Sequence, residues 1–346
     1  MGLLRHAAIA LAAAVALSTF VSHAARAQEA VVNLYSARHY QTDEALYADF
    51  TKATGIKINR IEAGDEQLVE RLKNEGAASP ADVLLIVDAA RLWQAQQLGL
   101  FQPVKSAVLE ERIPAKYRDP DGHWFGFSYR ARVIVYNKTM AERSEVATYE
   151  SLADPRNKGK VCTRSGSHPY NLSLIGSEIA HLGLPRAEAW ARGVVANFAR
   201  APKGGDTDQI KAVAAGECAI ALSNSYYYAR LMRSTTPADR EIVAKTAVVF
   251  PDQNGAGTHV NVSGAGLMKK APNRANAIKF LEYLASNDAQ RYFANGNNEW
   301  PTVPGVKVAN PALDAFGSFK IDPLPIATLG RNTAEAQKLA DRVGWK

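Results

Sequence analysis

Tyrosine and histidine side chains recur where an apolar run gives way to a polar turn: His39-Tyr40, His168-Pro169-Tyr170 and Tyr226-Tyr227-Tyr228. A phenol has a reference pKa of about 10 and ionises near neutrality only beside a strong positive charge. Several phenols gathered with an imidazole therefore suit a hard, highly charged cation, and ferric iron is the first candidate. Zinc draws nitrogen and sulfur donors, and calcium draws carboxylates and carbonyls. Four phenolates and a neutral imidazole around Fe3+ would leave one excess negative charge. Arg130 is the candidate to balance it, unless that residue only forms a surface ion pair.

Hydrophobic patterning indicates the elements that must position these residues. Val31-Val32-Asn33-Leu34-Tyr35 reads as a buried strand, and Thr42 is the expected cap of a helix that Gly55 ends. A strand over 56–61, a helix over 66–74 and the apolar run 82–87 continue an alternation that predicts a largely parallel sheet covered by helices on both faces. Arg132-Val133-Ile134-Val135-Tyr136-Asn137 reads as a long strand crossing to a second lobe. There the alternation resumes, with a strand at 161–163, helices over 172–181 and 186–198, and a strand over 218–222. A Gly-rich return at 255–262 is the second crossing. A helix over 274–285 belongs with the first lobe, and a closing helix over 333–343 with the second.

In an open α/β sheet, ligands bind beyond the carboxyl ends of the strands. His39-Tyr40, Tyr170 and Tyr226-Tyr227 all fall there, one segment from the first lobe and two from the second, so they are expected to face one cleft. Pro169 suits a helix's first turn, and Asn224 and Ser225 are both good caps for the helix that opens at Tyr226. Successive helical residues turn by about 100°, so at most two of the three consecutive tyrosines can face one point, and Tyr228 reads as packing. His168 is a competing metal ligand. Any one of these tyrosines alone would read as an ordinary edge residue, and His39 alone as a helix cap. The coincidence of three segments is what points to a site.

The chain has 346 residues and a formal charge of +7. A basic start, Met1-Gly2-Leu3-Leu4-Arg5-His6, is followed by an apolar run over 7–21 and by Ala25-Arg26-Ala27. This is the pattern of a cleaved secretory signal, and the run is shorter than the roughly 20 residues of a membrane span. Removal of 1–27 would leave a soluble, exported mature protein. What remains exceeds the usual size of one core, so two lobes are expected: 28–126 plus 254–302, and 127–253 plus 303–346. The sequence has no lysine-arginine block or aromatic-basic strip, which argues against nucleic acid, and a monomer is expected. Cys162 and Cys218 would form one disulfide in an oxidising compartment; the alternative is two buried thiols.

Five motifs carry a family resemblance: Tyr35-Ser36-Ala37-Arg38-His39-Tyr40, Gly126-Phe127-Ser128-Tyr129-Arg130-Ala131-Arg132-Val133, Lys158-Gly159-Lys160-Val161-Cys162, Asn224-Ser225-Tyr226-Tyr227-Tyr228 and Asn261-Val262-Ser263-Gly264-Ala265-Gly266. They resemble the periplasmic ferric-ion-binding proteins of bacterial iron ABC transporters over essentially the whole mature chain, and the paired tyrosine after Asn-Ser is the most specific part. The resemblance implies an α/β, two-lobe periplasmic binding protein fold with two crossing segments and a cleft between lobes. It implies a binding protein rather than an enzyme, with His39, Tyr40, Tyr170, Tyr226 and Tyr227 as iron ligands and delivery of Fe3+ to an ABC permease in the inner membrane. Some members use one histidine, two adjacent tyrosines and a carboxylate, and complete the shell with phosphate or carbonate. Here a tyrosine follows the histidine directly, as in members with a five-residue protein shell. Arg130 would then either hold a carbonate in a sixth position or only compensate charge. Two other classes stay open. One is a binding protein of the same fold for an organic cation such as thiamine or a polyamine, stacked on the tyrosines. The other is a non-haem ferric enzyme, which would need an open coordination position.

Overall fold

A computed structural model describes residues 30–38 and 43–346, and Val31–Lys346 forms one compact unit. The expected signal over 1–27, the cap at Thr42, and His39 and Tyr40 lie outside the described residues. The first elements are β1 (Val31–Ser36), α1 (Asp43–Thr54), β2 (Lys57–Glu62), α2 (Asp65–Glu75), β3 (Val83–Ile86), α3 (Ala89–Gln97), α4 (Ala107–Arg112) and the long strand β4 (Phe125–Asn137). β5 (Val161–Cys162), α5 (Pro169–Leu182), α6 (Leu184–Ala196), α7 (Asp206–Ala214), β6 (Ile220–Asn224), α8 (Ser225–Arg233), α9 (Pro237–Lys245) and β7 (Thr246–Val249) follow. The chain continues with β8 (Val260–Leu267), α10 (Arg274–Leu284), α11 (Asn287–Asn297), β9 (Trp300–Pro301), α12 (Pro311–Phe316) and α13 (Ala327–Val343).

The sheet runs β2-β1-β3-β8-β4-β6-β5, with β7 and β9 also paired to β4. β1 with β2, β1 with β3, and β5 with β6 are parallel, as the strand–helix alternation predicts. Every pair made by β4 or β8 is antiparallel, so the sheet is mixed rather than largely parallel. An antiparallel neighbour needs no crossover helix, and β8 reaches β3 from a distant part of the chain. β4 joins the two halves: it pairs with β8 through Ala131, and with β6 and β7 from Arg132 on. One apolar core gathers Leu34, Leu84, Phe125 and Val262, and another gathers Ile134, Ile175, Trp190 and Leu339.

The closing helix α13 starts at Ala327 rather than 333 and packs on α3 as well as α5, so it does not belong to one side alone. Gly330 permits this, because a Cβ there would overlap Trp93 on α3. Among the described residues, no helix is long and apolar enough to cross a membrane.

Cys162 and Cys218 are joined in a disulfide with a sequence separation of 56. It staples β5 beside β6, the strand that leads into the tyrosine run. A loop of that length corresponds to about 4 kcal/mol in the chain-entropy treatment. Reduction is expected to lower the melting temperature of metal-free and metal-loaded protein by similar amounts, as calorimetry with and without reductant would show. A shift confined to one form would mean that the bridge communicates with the site.

Candidate metal centre

β6 ends at Asn224 and α8 begins at Ser225, which puts Tyr226 in the first turn of the helix. Neither expected cap acts as one, because both side chains turn toward β4. Asn224 makes no capping hydrogen bond, and its Oδ1 accepts from Arg132 Nη1 at 3.1 Å. Ser225 Oγ accepts from Ala131 N at 3.2 Å. The turn is held instead by Asp206, whose Oδ2 accepts from Asn224 N at 2.7 Å.

Tyr170 stands in the first turn of α5, with Pro169 at the opening position as expected. His168 is the cap: its Nδ1 accepts from Tyr170 N at 3.2 Å, and its ring meets the Tyr170 ring edge-on at 4.5 Å. Burial, followed by the charges of Arg164, Arg132 and Arg91, pushes its pKa down to about 3. With Nδ1 accepting from the helix, His168 holds the first turn of α5 and the Tyr170 ring beside it.

The segments that carry Tyr170 and Tyr226 do converge. Tyr170 Oη and Tyr226 Oη are in hydrogen-bond contact at 3.0 Å. The half-buried Tyr227 brings its ring centroid to 4.3 Å from that of Tyr226, and the Arg230 guanidinium lies 5.8 Å from the Tyr227 ring. Tyr228 is packing: it is buried and its Oη donates to Thr246 O at 3.0 Å.

Three guanidiniums surround Tyr170, those of Arg164, Arg130 and Arg132, at 5.2, 5.6 and 6.0 Å from its ring centroid. Arg132 is the frame of the site. It donates to Asp206 Oδ2 at 2.6 Å, Asn171 Oδ1 at 2.8 Å and Asn224 Oδ1. One side chain therefore ties the residue after Tyr170 to the residue two before Tyr226. Arg130 is only 2% exposed, which removes the surface ion pair as its role. Its Nη2 donates to Val87 O and lies 3.8 Å from Asp88, while Nε and Nη1 have no hydrogen-bond partner among the described residues.

The flanks of 39–42 are also fixed. Arg38 Nε donates to Asp43 Oδ2 at 3.0 Å, so a buried ion pair brackets the segment that carries His39 and Tyr40. Ser36 lies opposite Leu85 in parallel register, so β1 ends beside the carboxyl end of β3, just before Val87 receives Arg130.

Reading the sequence missed Arg132, Arg164, Asn171 and Asp206. A signal existed for Arg132: residues two apart on a strand share a face, so Arg130-Ala131-Arg132 places both guanidiniums on one side. Asp206 had none, since it reaches Arg132 from 74 residues away.

Residues 45–315 match the family described as "Bacterial extracellular solute-binding protein". The chain is 53% identical over 324 residues to "Iron uptake protein A2" of Synechocystis sp., covering 93% of this chain and 92% of that one. The solved structure of Trichodesmium FutA (IdiA) in complex with iron and citrate ligands superposes with a TM-score of 0.88 at 56% identity, over 91% of this chain and all of that one (100%). Apo FutA2 from Synechocystis PCC6803 gives 0.88 at 53% identity, over 92% and 100%. The chain thus has the mixed α/β fold of the periplasmic binding proteins and belongs to the bacterial extracellular solute-binding protein family, in the group that includes these iron uptake proteins.

Proposed function

We propose that this solute-binding protein captures Fe3+ through His39, Tyr40, Tyr170, Tyr226 and Tyr227 and delivers it to an ABC permease. In this reading the mature periplasmic chain, freed of 1–27, works as a monomer. Its iron lies in a cleft between two lobes, 28–126 plus 254–302 and 127–253 plus 303–346, with β4 as one crossing. The observation that carries the reading is the Tyr170–Tyr226 hydroxyl pair at 3.0 Å among three guanidiniums. Two phenolates that close repel by roughly 5 kcal/mol at an effective dielectric of about 20. They ionise together only with a cation against both, and a trivalent ion answers that need best. The likeness to iron uptake proteins and to an iron complex supports the same cargo. Membership of a solute-binding family sets aside the enzyme alternative.

The test is optical. Adding Fe3+ to metal-free mature protein is expected to produce a visible phenolate-to-iron charge-transfer band that saturates at one iron per chain. A protein that stays colourless with iron but binds thiamine or a polyamine, with that binding lost in Tyr226→Phe, would overturn the reading in favour of an organic cation.

Arg130 enters this mechanism in one of two ways. It offsets the residual negative charge of a five-residue shell, the version favoured by Tyr40 following His39, or its unpartnered Nε and Nη1 hold a carbonate in a sixth position. Arg130→Ala is expected to weaken iron binding in both cases, and Arg130→Lys to recover only part, since lysine lacks the fork that grips an oxyanion twice. Titration with and without bicarbonate separates them: only the carbonate version loses affinity when the anion is withdrawn. Wild-type affinity of Arg130→Ala under both conditions would remove the residue from the mechanism.

A further inference from the structure

About two helical turns beyond Tyr170, the C-terminal part of α5 lines a cavity of about 510 Å3. The segment after β7, with Phe250 and Asp252, forms another wall, and Glu150 and Arg143 stand at its exposed edge. Glu178 lines this cavity at 7% exposure, with no side-chain hydrogen bond or ion pair among the described residues. Its neighbour Asp322 is fully engaged, accepting from His181 Nε2 at 2.8 Å, Leu324 N at 2.9 Å and Ser177 Oγ at 3.2 Å. Buried carboxyl groups are normally paired, because burial without a partner is costly. Here the unpartnered acid faces more acid. Burial, then the charges of Asp252, Glu150 and Asp322, lifts Glu178 to about 8, and burial lifts Asp252 to about 6.

We infer that this cavity binds a small organic ammonium ion, with Glu178 and Asp252 as its anionic contacts and Leu182 and Phe250 against its alkyl part. A bare divalent ion fits less well. Among the described residues, Asp119, Asp121 and His123 alone bring three ligand-type atoms within 4.8 Å of one another, so the acids of this cavity are spread too widely for one ion's shell. The Asp119 cluster itself is a closed turn, since its Oδ2 already accepts from Asp121 N, His123 N and His123 Nδ1. An ammonium on an alkyl chain can reach separated carboxylates while its methylenes and the Phe250 ring make the apolar and cation–π contacts.

The experiment is calorimetric titration of the metal-free mature protein with 1,4-diaminobutane, with MgCl2 as the inorganic control. Saturable binding to wild type is expected, with a loss of about tenfold or more in Glu178→Gln, the size of a charge-assisted hydrogen bond. Asp252→Asn should show a similar loss and provides a second reading if Glu178→Gln folds poorly. Near pH 7 the wild-type heat should depend on the buffer, because Glu178 releases its proton on pairing; Asp252, Glu150, Asp322, His181 and Arg143 are the charged groups around it. Glu178→Gln should lose that dependence. Tyr226→Phe should bind the diamine as wild type does, which separates this site from the iron reading. Three results would overturn the inference: no saturable binding at millimolar diamine, affinity lost in Tyr226→Phe but kept in Glu178→Gln, or Glu178-dependent binding of Mg2+ with the diamine silent.

Discussion

Replacing Tyr226 by Phe is expected to weaken and shift the visible iron band and to lower iron affinity by more than the roughly 10–100-fold that loss of an outer-shell partner costs. The substitution keeps the buried ring and its contact with Tyr227, and removes one oxygen donor and the hydrogen bond to Tyr170. The far-ultraviolet spectrum and melting curve should therefore stay close to wild type. Tyr227→Phe should act similarly, as the second of the two residues proposed to face the metal. Tyr228→Phe should leave iron binding intact and cost about 1 kcal/mol of stability, since among the described residues its hydroxyl serves only Thr246. Competition against a chelator of known strength measures all three. Equal losses would refute the assignment of facing and make the run a packing feature.

The largest loss of stability is expected at Asp206. Its side chain is 0% exposed, is paired with an Arg132 side chain only 1% exposed, and holds the Asn224 amide. Asp206→Ala strands a buried guanidinium and is expected to cost about 3–5 kcal/mol, read from the denaturant midpoint. Asp206→Asn should cost less, because an amide oxygen can still accept from Asn224 N. Iron affinity should fall in both, since the turn that aims Tyr226 loses its anchor. A midpoint unchanged by Asp206→Ala would show that Arg132 finds another partner and that the frame is not built as described.

The placement of Tyr170 and Tyr226 was legible because each follows a strand and opens a helix, and because Pro169 and the tyrosine run mark those openings. The means of holding them was not. Asn224 and Ser225 have the chemistry of caps, yet tertiary partners on β4 take both side chains. Strand direction escaped for a similar reason: the pattern of Val260–Leu267 shows that it is buried, not which way it runs. The start of α13 was hidden by Gly330, a residue that normally weakens a helix. Its value lies in the close approach to Trp93, a contact that local pattern does not encode. His39 and Tyr40 stand on the motif and on the resemblance alone, since they lie outside the described residues.

The three hydrogen bonds of Arg132 have a thermodynamic consequence. Asn171, Asn224 and Asp206 belong to three different elements, and fixing them on one buried guanidinium sets the spacing of Tyr170 and Tyr226 when the chain folds. In the proposed site, the rotational freedom of those two rings is therefore surrendered to the core and not to an arriving ligand. Binding to a pre-organised pair is tighter than binding that must first order its donors, and the unfavourable entropy left to capture falls on the groups that Arg132 does not hold.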